Sequence, residues 1–304
     1  MAIVSGLRPV VAGLLFLVLY PGQAGAWGDL GHRIVGAVAQ QELMRHYPAA
    51  WRKIEALLAT DADSLTPPDF PSRAMWADKY AQSDRDGDRK RYDATWRWHF
   101  ANVNVDAPDF TTPCDPALPA GEPASRGPAD ACVLDKIDQF TRELSSPATP
   151  PAERLVALKF LMHFVGDVHQ PLHVAEHDDD KGGNLIPVLP PGKRTSESLH
   201  LYWDVDLVDR LGSDAETIAP ALLDRFKSKE AEWSGGTLKD WARESNALAR
   251  STAYAIPKST VTDDAGKQAV PLDEHYAEKG DTVAAEQLTK AGLRLARLLG
   301  KALD

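Results

Sequence analysis

Apolar residues recur at helical intervals along most of this chain. Between Leu30 and Leu43 they fall at Ile34, Val35, Val38, Ala39 and Leu43, one face of a 3.6-residue helix. Ala131–Leu144 repeats the pattern. Leu155–Val168 (LVALKFLMHFVGDV) is apolar nearly all round, which predicts a central buried helix. Pro150-Pro151 suit its entrance, and Pro171 predicts its end near Gln170 by disfavouring helical geometry in the preceding residue. Further helices are expected over 196–211, 238–254 and 282–299. Strand signals are few: LIPVLPPGK, after Gly182-Gly183, reads as one arm of a hairpin. Proline and glycine cluster at 62–71, 107–128, 187–192 and 257–268, which predicts loops. No repeat of solenoid length is visible. The expectation is a single mainly α domain, a helical bundle with at most a small β-hairpin.

The first 26 residues break this pattern. Arg8 precedes an apolar run from Val10 to Tyr20, followed by Pro-Gly and Ala24-Gly25-Ala26. A basic start, a short apolar middle and a small-x-small site are the layout of a secretory signal peptide. The run is shorter than the roughly 20 residues a spanning helix needs. The expected organisation is a leader over 1–26, cleaved after Ala26, and a mature domain over 27–304, periplasmic or secreted, with no stable membrane association after cleavage.

Composition narrows the chemistry. The 304-residue chain carries 34 Lys+Arg against 44 Asp+Glu, a formal charge of −10. Nucleic-acid binders are usually basic, so such a partner requires metal ions to reverse the sign locally. An exported chain with two cysteines, Cys114 and Cys132, is expected to pair them; two free buried thiols are the alternative.

The histidines cluster with carboxylates. In LMHFVGDVHQPLH, His163 and Asp167 stand four apart on the central helix and so share a face. In SLHLYWD, His200 and Asp204 repeat the arrangement. Paired His/Asp groups on facing helices are how helical domains build metal sites. His173, just past Pro171, is placed to turn toward the same centre. An unpaired Asp167 in so apolar a helix would be costly to bury. Cleavage after Ala26 would also free the α-amine of Trp27, with a pKa of about 7.7–8.0. Its nitrogen and the Trp27 carbonyl oxygen would then chelate one ion, with His32 near enough to join.

Taken together, these residues resemble the secreted zinc-dependent nucleases of S-one/P-one type, relatives of the bacterial zinc phospholipases C. The resemblance rests on WGDLGH (27–32), WAD (76–78), WHF (98–100), HFVGDVHQPLH (163–173), GGN (182–184), LHLYWD (199–204), WARES (241–245) and QLTKAGLRLARLL (287–299). It implies the mainly α fold of that family and three zinc ions per chain. Asp78, His99, His163 and Asp167 would hold one ion. Trp27, His32 and the bridging Asp167 would hold a second, and His173, His200 and Asp204 the third. Three divalent ions outweigh three aspartates, so the site would attract phosphate although the protein is acidic.

The resemblance implies hydrolysis of single-stranded DNA or RNA to 5′-phosphate products by in-line attack on phosphorus, and leaves 3′-nucleotides open as a further substrate. Asp78 and Asp167 are its catalytic carboxylates, Asp78 also orienting the attacking water. Phe100, Asn102 and Asn184 match substrate-binding positions, Phe100 as a base-stacking ring or, alternatively, a core residue. A monomer is expected.

Three departures stand out. Ala81 occupies a place where such nucleases usually carry Lys or Arg, leaving Lys79, Arg85 or a loop residue as substitutes. Asn102 replaces an aspartate used in base reading. TSESLH lacks the expected Asn-Leu-His. His169 is read as supporting the site or the structure, His46, His177 and His275 as surface residues, and HDDDKGG (177–183) as a solvated loop. Two other readings remain: a phospholipase C-like enzyme, disfavoured because that group ends its last motif in glutamate where this chain has Asp204, and a catalytically weak zinc-binding periplasmic protein.

Overall fold

Long helices carry the architecture of the computed structural model, which describes residues 27–85, 87–111, 114 and 122–304. The proposed leader, 1–26, lies outside the described residues. The N-terminal helix, Asp29–His46, packs against the C-terminal helix, Glu274–Ala302, and the helix Val133–Ser145 packs on the central helix, Pro151–Asp167. About 60% of the described residues are helical, as the periodicity predicts.

The ends of the elements have local causes. Pro151 opens the central helix, and the chain leaves it at Val168, before the Pro171–Val174 turn. The C-terminal helix begins eight residues before the predicted Thr282, because the Asp273 carboxylate accepts from Tyr276 N at 2.8 Å. That first stretch is polar and has no apolar stripe to read. Helices Pro48–Leu58 and Ala215–Arg225 were not expected; the second contains Pro220, a breaker signal that tertiary packing overrides.

The predicted helix over 196–211 is helical from 199 to 209, but its middle, Tyr202–Asp206, is a π-helix. A second π-turn, Ala249–Ala253, ends the helix Leu238–Leu248. Such turns are rare and occur often at functional sites. The first contains Asp204.

The sheet is larger than the expected hairpin. β1 (Pro187–Leu189) pairs antiparallel with β2 (Glu197–Ser198), and it also pairs parallel with β4 (Gln268–Pro271), which pairs antiparallel with β3 (Val261–Thr262). The order is β2-β1-β4-β3. Part of 257–268, read as loop, is therefore strand. Asp263 holds it there: its carboxylate accepts from Ser196 N and Lys267 N, both at 2.8 Å. No run of two to four residues carries an alternation that would reveal this.

Cys114 and Cys132 form a disulfide with Cα atoms 5.5 Å apart. Around the central helix, Phe160 stacks on Phe140 at 4.8 Å and Trp98 meets Phe160 edge-on at 5.5 Å. Each such ring contributes about 1.5–3 kcal/mol through burial. This core holds the polar face of the central helix at one fixed depth. No helix among the described residues is long and apolar enough to cross a membrane.

Candidate metal centre and substrate cleft

His163 and Asp167 project from the last turn of the central helix, where both are fully buried. The Pro171–Val174 turn then brings His173 back, His32 arrives from the N-terminal helix, Asp78 from the helix Trp76–Gln82, and His99 from the end of the short turn Trp96–His99. His99 Nδ1 lies 3.0 Å from Asp167 Oδ2, 3.1 Å from His163 Nε2 and 3.5 Å from Asp78 Oδ1. His32 Nε2 lies 3.3 Å from Asp167 Oδ1, and the His32 and His163 rings stack at 3.7 Å. His173, His200 and Asp204 form the adjoining group, with His200 Nε2 3.3 Å from Asp204 Oδ2. Gly28 N donates to Asp204 O at 2.8 Å, which places the Trp27 backbone beside the same group. All nine residues named as ligands from the sequence thus converge from five separate stretches of chain.

The tautomers can be worked out from backbone partners. His163 Nδ1 donates to Ala74 O at 2.7 Å, His173 Nδ1 to His99 O at 2.8 Å, and His200 Nδ1 to Gly182 O at 2.6 Å. Each of these rings therefore turns a bare Nε2 lone pair inward. The Nε2 atoms of His173 and His200 face each other at 3.0 Å with no proton between them. Two nitrogens bound to one tetrahedral zinc lie at a similar separation, about 3.3 Å, given Zn–N bonds of about 2.0–2.1 Å. Both His32 nitrogens, Asp167 Oδ1 and Asp204 Oδ2 are buried without a hydrogen-bond partner. Buried polar atoms are ordinarily satisfied; here a cation is what would satisfy them.

Electrostatics point the same way. Burial pushes the imidazoles below their ordinary range: His99 and His163 to about 3, His200 to about 4, His32 and His173 well down. Neutral imidazoles are the form that binds metal. Burial, then the neighbouring Asp78 and Asp204, pushes Asp167 well up, and burial does the same to Asp204. Three carboxylates thus sit among neutral rings; the Lys79 charge reaches Asp78, but Lys79 is itself paired with Asp29. The residues present fit a multinuclear zinc site by donor type, tautomer and charge.

Supporting residues hold this geometry. Gln170 Nε2 donates to Asp204 Oδ1 at 2.6 Å, aiming the other oxygen at His200, while Gln170 Oε1 accepts from Leu172 N. The motif HQPLH contained Gln170, but its role was not legible there because its partner lies 34 residues on. Gly182 has φ +62°, and a Cβ there would stand 2.5 Å from Leu172 O, so only glycine can present its carbonyl to His200. His169 faces away from the centre: Nδ1 donates to Val165 O and Nε2 accepts from Arg294 at 2.8 Å. In the 177–183 loop Asp178 and Asp179 are exposed, but Asp180 is buried and accepts from His177 N and Gly183 N. That residue is a brace, not part of a solvated face.

A cleft of about 780 Å³ opens over the centre. Asp78, His99, His173 and His200 form its floor, and Phe100, Asn102 and Asn184 line its walls. Phe100 is half-buried with Trp96 packed edge-on at 5.8 Å, so it is a wall residue and not core. The sequence offered no reason to single out Trp96, Arg97, Lys181 and Leu185, which also line the cleft. Ala81 is buried. Lys79 is paired with Asp29 at 2.8 Å, and Arg85 lies over the Tyr92 ring. The basic side chains on the cleft itself are Arg97 and Lys181.

The chain is similar to known proteins over most of its length. The family model described as S1/P1 Nuclease matches residues 27–304. Nuclease S1 of Aspergillus oryzae is 32% identical over 294 residues, covering 90% of each chain. Endonuclease 2 of Arabidopsis thaliana is 27% identical over 313 residues, 99% of each chain. Nuclease P1 of Penicillium citrinum is 28% identical over 307 residues, 90% of this chain and 97% of its own.

Proposed function

Since the chain belongs to the S1/P1 nuclease family, we propose that it is an exported trinuclear-zinc phosphodiesterase, mature from Trp27, that cleaves single-stranded nucleic acid to 5′-phosphate products. The observation that carries the reading is the pair of bare Nε2 atoms of His173 and His200 at 3.0 Å, beside the unsatisfied oxygen of Asp204. Asp78, His99, His163 and Asp167 would hold one ion. Trp27, His32 and Asp167 would hold a second, and His173, His200 and Asp204 a third. When bound, zinc supplies Lewis acidity and brings the pKa of water to about 7.

The remaining chemistry belongs to side chains. Asp78 keeps 13% of its side chain exposed where Asp167 and Asp204 keep none. It alone of the three lines the cleft, so it is the carboxylate able to accept a hydrogen bond from an attacking water. Phe100 offers a stacking face, a contact worth about 1–3 kcal/mol per base and blind to sequence. Only an unstacked base can use it, which selects single strands. Asn102 and Asn184 can donate and accept toward a base or sugar. Arg97 and Lys181 take the phosphate-binding work that buried Ala81 cannot do.

The test compares exported protein beginning at Trp27 with protein bearing one extra residue ahead of it. Elemental analysis and hydrolysis of single-stranded DNA, with phosphatidylcholine as a control, are measured on both. The reading expects three zincs and nuclease activity in the first, fewer zincs and slow turnover in the second, and no lipid hydrolysis. At most one zinc in the correctly processed protein would end it, and lipid hydrolysis without nuclease activity would favour the phospholipase.

A further inference from the structure

The catalytic cluster occupies one end of the N-terminal helix; a second group of ligand-type side chains occupies the other. Glu42 and His46 stand four apart near its C-terminus, and Glu230, the first residue of the helix Glu230–Trp233, faces them. His46 Nε2 lies 3.2 Å from Glu230 Oε1 and 3.6 Å from Glu42 Oε2. One ligand atom from each residue lies within 4.8 Å of the others. From His32 to His46 the helix runs fourteen residues, about 21 Å, so this group is separate from the catalytic centre.

Glu42 makes the cluster unusual. It is 5% exposed, and the group its carboxyl meets is another carboxyl, that of Glu230. Its carboxyl faces His46 and Glu230, at the edge of a cavity of about 340 Å³ also lined by Tyr47, Ser234 and Arg297. Burial and the facing Glu230 both disfavour a charged Glu42. The two arginines nearby are directed elsewhere: Arg45 reaches Glu230, at 3.7 Å, and is itself 60% exposed, and Arg297 donates to Ser234 O at 3.3 Å. One imidazole and two carboxylates around an open cavity are three protein ligands with room for water, a donor set that suits zinc.

We propose that Glu42, His46 and Glu230 form an auxiliary zinc-binding site that ties the N-terminal helix to the Glu230–Trp233 helix. The ion would balance the two carboxylates and staple two elements that are distant in sequence. Its affinity is lower than that of the catalytic cluster, since His46 and Glu230 are partly open to solvent.

Zinc titration of fully loaded, Trp27-initiated protein by calorimetry tests this, alongside His46→Asn and Glu230→Gln. Both replaced side chains are partly exposed and lie outside the catalytic machinery, so nuclease activity in the variants should match the parent. The expected result is one further zinc equivalent in the parent, with a melting temperature raised by several degrees at saturation, and loss of both effects in each variant. The ordinary alternative is His46 pairing with the two glutamates without metal. It predicts no further equivalent in the parent, and that result overturns the proposal. So does an equivalent that persists unchanged in both variants.

Discussion

Glu244 tests how the C-terminal helix is locked beneath the catalytic centre. Its carboxylate accepts from Lys290 and, at 2.8 Å, from Arg294, whose Nη1 also donates to His169 and whose Nε donates to Trp233 O. Both cationic side chains are 9% exposed and Glu244 is 28% exposed. Burial raises the Glu244 pKa, but the Lys290 hydrogen bond and the Arg294 charge outweigh it and pull the carboxyl from 4.5 to about 2. At 1.36 kcal/mol per pKa unit that shift corresponds to about 3.4 kcal/mol, and partial exposure screens it to about 2 kcal/mol. Truncating one partner of a fully buried pair costs about 3–5 kcal/mol. Gln at 244 keeps the shape and an acceptor, which again argues for about 2 kcal/mol. In a chain of this length that is a fall of about 3 °C in melting temperature.

The sign follows from linkage. The folded-state pKa is depressed, so the stabilisation is complete above about pH 4.5 and is lost as pH falls toward 2. The gap between parent and Glu244→Gln should be largest near neutrality and about 40% smaller at pH 3.5. Thermal unfolding of both proteins by circular dichroism measures it. A gap under 1 °C at pH 7, or one that widens on acidification, would refute the ion-pair lock.

Three more outcomes are expected. Gly166→Ala would place a Cβ 2.9 Å from His32 Nδ1; the ring must move, and zinc retained after dialysis should fall at least about tenfold in affinity, with helical content unchanged. Gln170→Leu removes the donor to Asp204 Oδ1 and should weaken zinc binding about 10–100-fold, measured by chelator competition; parental affinity would contradict the orienting role. Phe100→Ala should raise KM for single-stranded DNA roughly tenfold, the value of one stacked base, while leaving zinc content intact; an unchanged KM would return Phe100 to a structural role.

Much of this protein was legible before its fold was known. The helical stripes of 30–43, 131–144 and 155–168 survive as helices because each buries one broad apolar face, and periodicity reports such faces directly. The i, i+4 pairs His163/Asp167 and His200/Asp204 were legible for the same reason, since helix geometry alone puts their members together. The polar opening of the C-terminal helix and strands β3 and β4 were not, because caps and cross-chain pairing place them. The Pro220 helix was hidden for a related reason: its packing overrides a local breaker.

Which donor types were available, and which of them shared a helix face, could be read from the chain alone. Only tertiary structure decided that His32, Asp78 and His99, far apart along the chain, meet Asp167 at about 3–3.5 Å or through one another. It also decided that Gln170 aims Asp204, that Arg97 and Lys181 rather than position 81 face the cleft, and that Glu42 meets Glu230. The physical reason is range. Propensity and periodicity act over a turn or two of chain, whereas a metal-type site needs atoms from distant segments held within ångströms, and only a packed core supplies that precision.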